Sequence, residues 1–376
     1  MLRFTFTTIY INSNQILCTF IGKFKVGNVQ KKCGAARRKP NLCKKEEFIF
    51  NCPNTCDKCG SSCEIDIGGG GGEGGGGGGG GGNPGSTECS STAHDGCCLS
   101  LTNTCSLRVD ELFYAAMHNA NNDEDKWNSN HEGSLENALD AGFRAFYLDV
   151  CYCLGRVVFC HGNCIFAGQQ DPSEIFRNVV QFLDNNPSEL VIFNFEISRY
   201  NPTPLMLWNV MEKINGLKEK SYVHNGGAWP QIGNLLKDGK QIISLKHNGD
   251  NCLNTSNGGC TEYIQEWFKY TVGTKYSFRN INEIEDTQSS CIGYRGTQYQ
   301  KQFYAINNFV TLAELPGPSE TASQVINQDS FVEKRISNCE KIMGQEANFL
   351  AVDFWQHGNV PDVAKKINKA RADKRR

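Results

Sequence analysis

The sequence predicts an α/β fold, a TIM-type (β/α) barrel carried behind a small disulfide-rich N-terminal module. Three observations point there. From residue 89 onward, short apolar runs of strand length alternate with amphipathic segments of helical period, as in a parallel sheet with crossover helices. The alternation continues to residue 376 without an internal break, a span that suits one barrel; a doubly wound open sheet is the competing arrangement. The 19 cysteines fall into two even groups, six from Cys33 to Cys63 and twelve from Cys89 to Cys339, with Cys18 outside both.

Taken in order, residues 1–22 read as a leader segment, although Asn12 and Asn14 interrupt its apolar stretch; removal of the leader would also remove Cys18. Residues 33–63 are polar, basic and rich in cysteine. A segment that short buries too little apolar surface to fold on its own, so covalent cross-links have to replace a core. Zinc is the competing explanation, because Cys56-Asp-Lys-Cys59 is a CxxC pair, but the segment has no histidine. Residues 64–88 are almost pure glycine, a flexible linker that cannot repay its ordering entropy. No Gly-Lys-Ser/Thr sequence closes this run, which excludes a phosphate-cradling loop. In the barrel region, 89–376, strands are expected at 112–117, 145–149, 157–160, 190–196, 241–246, 303–309 and 349–354. Helices are expected at 134–141, 172–186, 204–214, 330–343 and 360–372.

The balance of charge excludes some partners. A formal net charge of −2 gives no basic footprint for nucleic acid. No apolar run approaches the roughly 18 residues of a transmembrane segment, so a lipid would be met from the water side by peripheral contact. The basic stretch 365–376 suits anionic lipid, or equally a solvated helix end. A cysteine count this high in an enzyme-sized chain fits an oxidising compartment, and secretion is the expected localisation. The sequon Asn254-Thr255-Ser256 is compatible with it.

Chemistry is expected where strands end. His118-Asn119, Asp149, His161, Glu196, Lys246 and Asp353 all close expected strands, and in a parallel barrel catalytic groups sit at the C-terminal strand ends. Two histidines facing one pocket divide general-base and general-acid work, since imidazole titrates near neutral pH. A carboxylate such as Asp353 would fix the tautomer of one of them. Asn119, Asp149 and Glu196 offer hard oxygen ligands for Ca²⁺, with Mg²⁺ or no metal as alternatives. The cysteines Cys151, Cys153, Cys160 and Cys164 crowd the same region. Disulfides bracing its loops are expected there, with thiolate zinc ligation involving His161 as the alternative.

These motifs resemble, in order, the X domain of phosphatidylinositol-specific phospholipase C. His118-Asn119 is similar to its first histidine motif. The stretch from Gly142-Phe-Arg144 to Leu148-Asp149 is similar to the acid motif that follows, and His161-Gly162 to the second histidine motif. Asn186-Pro187-Ser188-Glu189 before 190–196, Gly227-Ala-Trp229-Pro230 and Phe349-Leu-Ala-Val-Asp353-Phe extend the likeness. The secreted, cysteine-rich phospholipase-C-like phosphodiesterases resemble it most, since their domain opens on a cysteine cluster, here Cys89, Cys97, Cys98 and Cys105. The N-terminal segment resembles sea-anemone-toxin-like modules through Cys52-Pro-Asn-Thr-Cys56-Asp-Lys-Cys59.

The resemblance implies a distorted (β/α)₈ barrel that cleaves phosphodiesters, with a phospholipid or another phosphodiester as substrate and a role in lipid metabolism. It implies His118 as base and His161 as acid. It implies a calcium set at Asn119, Asp149 and Glu196. Tyr147 stands where that branch carries a further acid. In the metal-free bacterial branch an arginine replaces Asp149, and an acid matching Asp353 pairs with the first histidine. The alternative reading is a non-catalytic secreted binding protein on a degenerate barrel. Barrels of the glycerophosphodiesterase or sphingomyelinase D type use denser acidic sites than this chain carries.

Overall fold

The computed structural model describes residues 96–123, 129–161, 164, 169–199, 202–247, 259–296, 300–312 and 317–375. It also describes an antiparallel pair, Lys23–Val26 with Val29–Lys32. The chain divides into two compact units, Met1–Gly82 and Asn83–Arg376. The expected leader (1–22), cysteine-rich module (33–63), glycine linker (64–88) and sequon lie outside the described residues, as does Cys89.

The second unit is built on one ten-stranded sheet. Its strands are β1 Tyr114–Met117, β2 Ala145–Cys153, β3 Arg156–Phe159, β4 Val191–Arg199 and β5 Ser221–Tyr222. They continue with β6 Ile242–His247, β7 Gln265–Glu266, β8 Thr271–Gly273, β9 Phe303–Asn308 and β10 Phe349–Val352. The main path runs β7-β6-β4-β2-β1-β10-β9-β8, with every neighbouring pair parallel. This order is the chain order cyclically permuted, as a barrel requires; a doubly wound sheet would reverse direction at a switch point. The curl stays open between β7 and β8. Only the helical turn Trp267–Tyr270 joins those strands, and a parallel neighbour needs a crossover of a dozen or more residues.

Two expectations are corrected here. The run expected as a barrel strand at 157–160 is β3, which folds back antiparallel on β2 (Val150 opposite Phe159, Cys153 opposite Arg156). Gly155, with φ of 82°, sits in the tight turn between them. His161 therefore does not close a parallel strand. The very short strands β5, β7 and β8 carry no readable period and were not expected.

Side-chain alternation divides each strand between two cores. Ala115, Met117, Phe146, Leu148, Phe193, Phe195, Ile306, Leu350 and Val352 face the helices. Tyr114, Ala116, Ala145, Tyr147, Ile192, Leu245, Ala305, Phe349 and Ala351 face the inside of the curl. On the outer side, α1 (Leu135–Ala141) is capped by Ser134, whose hydroxyl accepts from the Asn137 amide. Pro172 opens α2 (Pro172–Asn185), capped by Asp171. Phe176 of α2 packs edge-on against Phe159, Phe193 and Phe195. The basic helix α3 (Val360–Lys374) turns Arg371 inward, where it bonds the Ala347 carbonyl and Glu340.

Disulfides join Cys98 to Cys105, Cys151 to Cys160, Cys153 to Cys164 and Cys291 to Cys339. The cysteines around Asp149 and His161 are thus cross-linked as expected, and the thiolate zinc alternative falls.

Gly358 follows β10 with φ of 87°, and a Cβ there would lie 1.9 Å from the Asn327 carbonyl oxygen. Asn327 in turn donates to the backbone oxygens of Asp353 and Phe354. Gly358→Ala is expected to cost on the order of 3 kcal/mol, read as a lowered midpoint in urea denaturation; an unchanged midpoint contradicts this account.

Candidate active site

The inward phase of the pleat carries on into the polar strand ends. Ala116 leads to His118, Tyr147 to Asp149, Ile192 to Asn194 and Glu196, Leu245 to His247, Ala305 to Asn307, and Ala351 to Asp353, each at a spacing of two. His118, Asn119, Tyr147, Asp149, Asn194, Glu196, His247 and Asn307 line one pocket, closed on its far side by Trp267, Phe268, Tyr276, Arg295 and Phe309.

His118 is held from four directions. Its amide donates to Val352 of β10, and its carbonyl accepts from His131 Nε2 at 2.5 Å. Its ring stacks on Phe309 with centroids 3.7 Å apart. Its Nδ1 lies 2.8 Å from Asp353 Oδ1. Asp353 is buried, and the same oxygen accepts from Asn130 Nδ2 at 2.8 Å. In the tautomer that donates Nδ1–H to the carboxylate, Nε2 carries the lone pair. Asn130 Oδ1 accepts from Asn122 and Asn119, which leaves the Asn119 side-chain oxygen for the pocket.

His161 arrives by the hairpin. The Cys160 amide donates to the Asp149 carbonyl, and His161 Nδ1 then lies 3.1 Å from Asp149 Oδ2. The ring flanks the pocket through Asp149. Burial works to lower its pKa, but the hydrogen bond and charge of Asp149, with Asp353 and Glu196, outweigh it and raise the pKa. Asp149 is itself raised, by burial and by the charge of Glu196, against the pull of His161.

Parallel register sets Asp149, Glu196 and His247 side by side across β2, β4 and β6. Asn194 Nδ2 donates to His247 Nε2 at 2.9 Å, so the His247 proton sits on Nδ1, 3.8 Å from Glu196. Glu196 is held down to about 2 by His247, with Arg295 adding to the effect against burial. Burial lowers the pKa of His247.

The structure thus gathers five of the six expected site residues, His118, Asn119, Asp149, Glu196 and Asp353, around one centre and places His161 at its edge. Lys246 points the other way: it is buried and paired with Glu266, its register neighbour on β7. The cation in the pocket is Arg295, beyond β8 in irregular chain. Its guanidinium lies 3.9 Å from the Tyr276 ring centre, and no carboxylate among the described residues pairs with it. His247 lay within reach of the strand-end pattern by alternation from Leu245; Arg295 gave no such signal.

The pocket also fits an oxygen-ligated cation. Asn119, Asp149 and Glu196 line it together, and the buried Tyr147 hydroxyl and Asn194 side-chain oxygen have no partner among the described residues.

Burial holds His131 down to about 4, with Asp353 and Asp123 favouring the charged form and His118 opposing it. Between the unfolded value of 6.5 and about 4, the unfolded chain takes up a proton that the folded chain refuses. Stability therefore falls as pH falls through that window, by about 3 kcal/mol at completion. His131→Gln keeps an amide donor but does not titrate, so its unfolding free energy is expected to change less from pH 7 to pH 4 by about that amount. Parallel slopes in urea titrations would refute the assignment.

Comparison with known proteins bears on the fold and the family. The PI-PLC X family model matches residues 104–368. An uncharacterized secreted protein of Arthroderma benhamiae is 22% identical over 258 residues, covering 64% of this chain and 56% of its own length. The chain thus spans little more than half of that relative. A phosphatidylinositol-specific phospholipase C variant of Staphylococcus aureus shares the fold with a TM-score of 0.50 at 14% identity, over 70% of this chain and 94% of its own. The phosphatidylinositol-specific phospholipase C of Listeria monocytogenes gives 0.49 at 18% identity, over 72% and 96%. With the matched span taking in the sheet, both histidines and Asp353, the chain belongs to the PI-PLC X-domain family.

Proposed function

We propose that the protein is a phosphoric diester hydrolase of the phospholipase C type, with His118 as general base and His161 as general acid. The observation that carries this reading is that two imidazoles, each on its own carboxylate, flank one pocket. His118 gives its Nδ1 proton to Asp353 and offers Nε2 to the attacking hydroxyl. His161, with its pKa raised by Asp149 against the effect of burial, is the group that would pass a proton to the departing alkoxide. Attack forms the new P–O bond, the P–O bond to the leaving alcohol breaks, and one proton passes from the nucleophile to His118 while another passes from His161 to the product. Arg295 is placed to neutralise the phosphoryl oxygens.

A Ca²⁺ ion, or Mg²⁺ in its place, would be held by Asn119, Asp149 and Glu196. When bound it would offset phosphoryl charge. The substrate class proposed is a phospholipid headgroup ester such as phosphatidylinositol, met peripherally, with a role in lipid metabolism. No helix among the described residues is long and apolar enough to cross a membrane. Disulfides throughout the sheet unit and the secreted fungal relative support an extracellular setting. Tyr147, standing where an acid would complete the cation set, favours the second reading, a binding protein without turnover.

The test is hydrolysis of phosphatidylinositol and of a generic phosphodiester by the full chain, with Ca²⁺ or EDTA. On phosphatidylinositol, His118→Ala and His161→Ala are each expected to lose about 10³-fold in kcat. Binding to phosphatidylinositol vesicles with no turnover, or mutants as active as the parent, sinks the hydrolase reading. Full activity in EDTA removes the cation from it and leaves Arg295 as the phosphoryl partner.

A further inference from the structure

We propose that the Cys151–Cys160 disulfide, backed by Cys153–Cys164, is a positioning element that holds His161 against Asp149, so that protonation of the leaving group depends on it. The inference rests on the reading of His161 as the acid.

The covalent layout is the argument. Asp149 lies two residues before Cys151, and His161 lies one residue after Cys160. The bridge spans nine positions in sequence and encloses the hairpin turn, leaving Asp149 and His161 as the residues just outside its open end. The β2–β3 ladder runs out at this end, although Phe159 is still bonded on its other edge to Gln170. β2 shifts register between Val150 and Cys151 in its pairing with β4, and β3 stops at Phe159. Beyond that point, one backbone hydrogen bond, Cys160 to Asp149, continues the pairing towards His161. The imidazole is 37% exposed, and among the described residues its ion-pair partner is Asp149. His161 is thus a half-exposed side chain on the last residues of a hairpin, where side-chain packing alone is weakest.

The second bridge acts from the other direction. Cys164 lies three residues beyond His161 and is tied to Cys153, again on β2. Both flanks of His161 are therefore covalently attached to the strand that carries Asp149. The four half-cystines form a small buried cluster with Val158, apart from the two main cores. A cluster that small adds little to the core of the sheet unit, whereas its place beside the acid is specific. Cys98–Cys105 has a similar span, seven positions, but ties the chain near Leu99, whose amide bonds Ser188 ahead of β4, at the opposite end of the sheet. It serves as a control for loss of a small loop cross-link.

The experiment uses the full chain carrying Cys151→Ser with Cys160→Ser, beside the parent, His161→Ala, and Cys98→Ser with Cys105→Ser. Each is assayed on phosphatidylinositol, whose leaving group is an alkoxide, and on a p-nitrophenyl inositol phosphodiester, whose leaving group needs no proton. Displacing the acid by about 1 Å should lower kcat on phosphatidylinositol by about 10²-fold with KM unchanged. The p-nitrophenyl ester should be cleaved within about twofold of the parent rate. His161→Ala should show the same asymmetry and the Cys98/Cys105 variant none. Equal losses on both esters, an unchanged kcat, or the same loss in the control overturns the proposal. If the first variant does not fold, Cys153→Ser with Cys164→Ser, which frees the other flank, is judged by the same criteria. If the parent cleaves neither ester, the hydrolase reading fails, and long-range ¹H–¹⁵N spectra of the His161 imidazole decide the positioning claim. One tautomer in the parent and an average of two in the bridge variant supports it; identical spectra refute it.

Discussion

The pleat of the parallel sheet is the constraint on which the site depends. Every second side chain points into the curl, and that period runs unbroken from apolar residues within the strands to polar ones at their ends. Ala116 and His118, Tyr147 and Asp149, Leu245 and His247, Ala351 and Asp353 are the same two-residue step taken on four strands. Parallel register then aligns the steps, so Asp149, Glu196 and His247 form a row without any loop having to find them. A slip of one residue in any strand would bury its polar end against the helices and empty the pocket on that side.

Within this frame, environment separates residues of one chemical kind. The chain places four histidines in or beside the pocket, and each is held differently. His131 is buried under the backbone of His118 and kept neutral. His247 is buried between an amide and a carboxylate. His118 has its tautomer set by Asp353. His161, more exposed and on Asp149, is the one pushed towards the cation. Carboxylates divide in the same manner, with Asp149 raised and Glu196 lowered although they are register neighbours. Pairs of like groups driven apart in proton affinity are what acid–base chemistry at a single pH requires.

Much of this is legible in the residues. The long strands and helices end within a few positions of where their apolar period ends, because burial on one or both faces leaves little freedom there. His118, Asp149, Glu196 and Asp353 were visible as polar residues closing apolar runs. Lys246 was not separable from His247 by that rule; only counting from Leu245 in twos tells the inward residue from the outward one. The run 157–160 looks like any other buried strand, since its direction is set by the turn at Leu154-Gly155 and by cross-links that composition does not pair. Arg295 and Tyr276 lie in irregular chain between the sheet strands, where no period exists to read, and their place in the pocket comes from tertiary packing alone.

The pairing of β1 with β10 carries a further consequence. His118 and Asp353 are 235 residues apart, and the strands that bear them are neighbours in the sheet. During synthesis the first strand emerges early and waits, with one edge unpaired, until almost the whole unit has been made. The carboxylate that orients His118 is carried by the last strand of the sheet to arrive. A chain stalled or clipped before β10 would therefore carry both histidines and still lack the carboxylate that orients His118. Ripening of the site is in this way coupled to completion of the sheet.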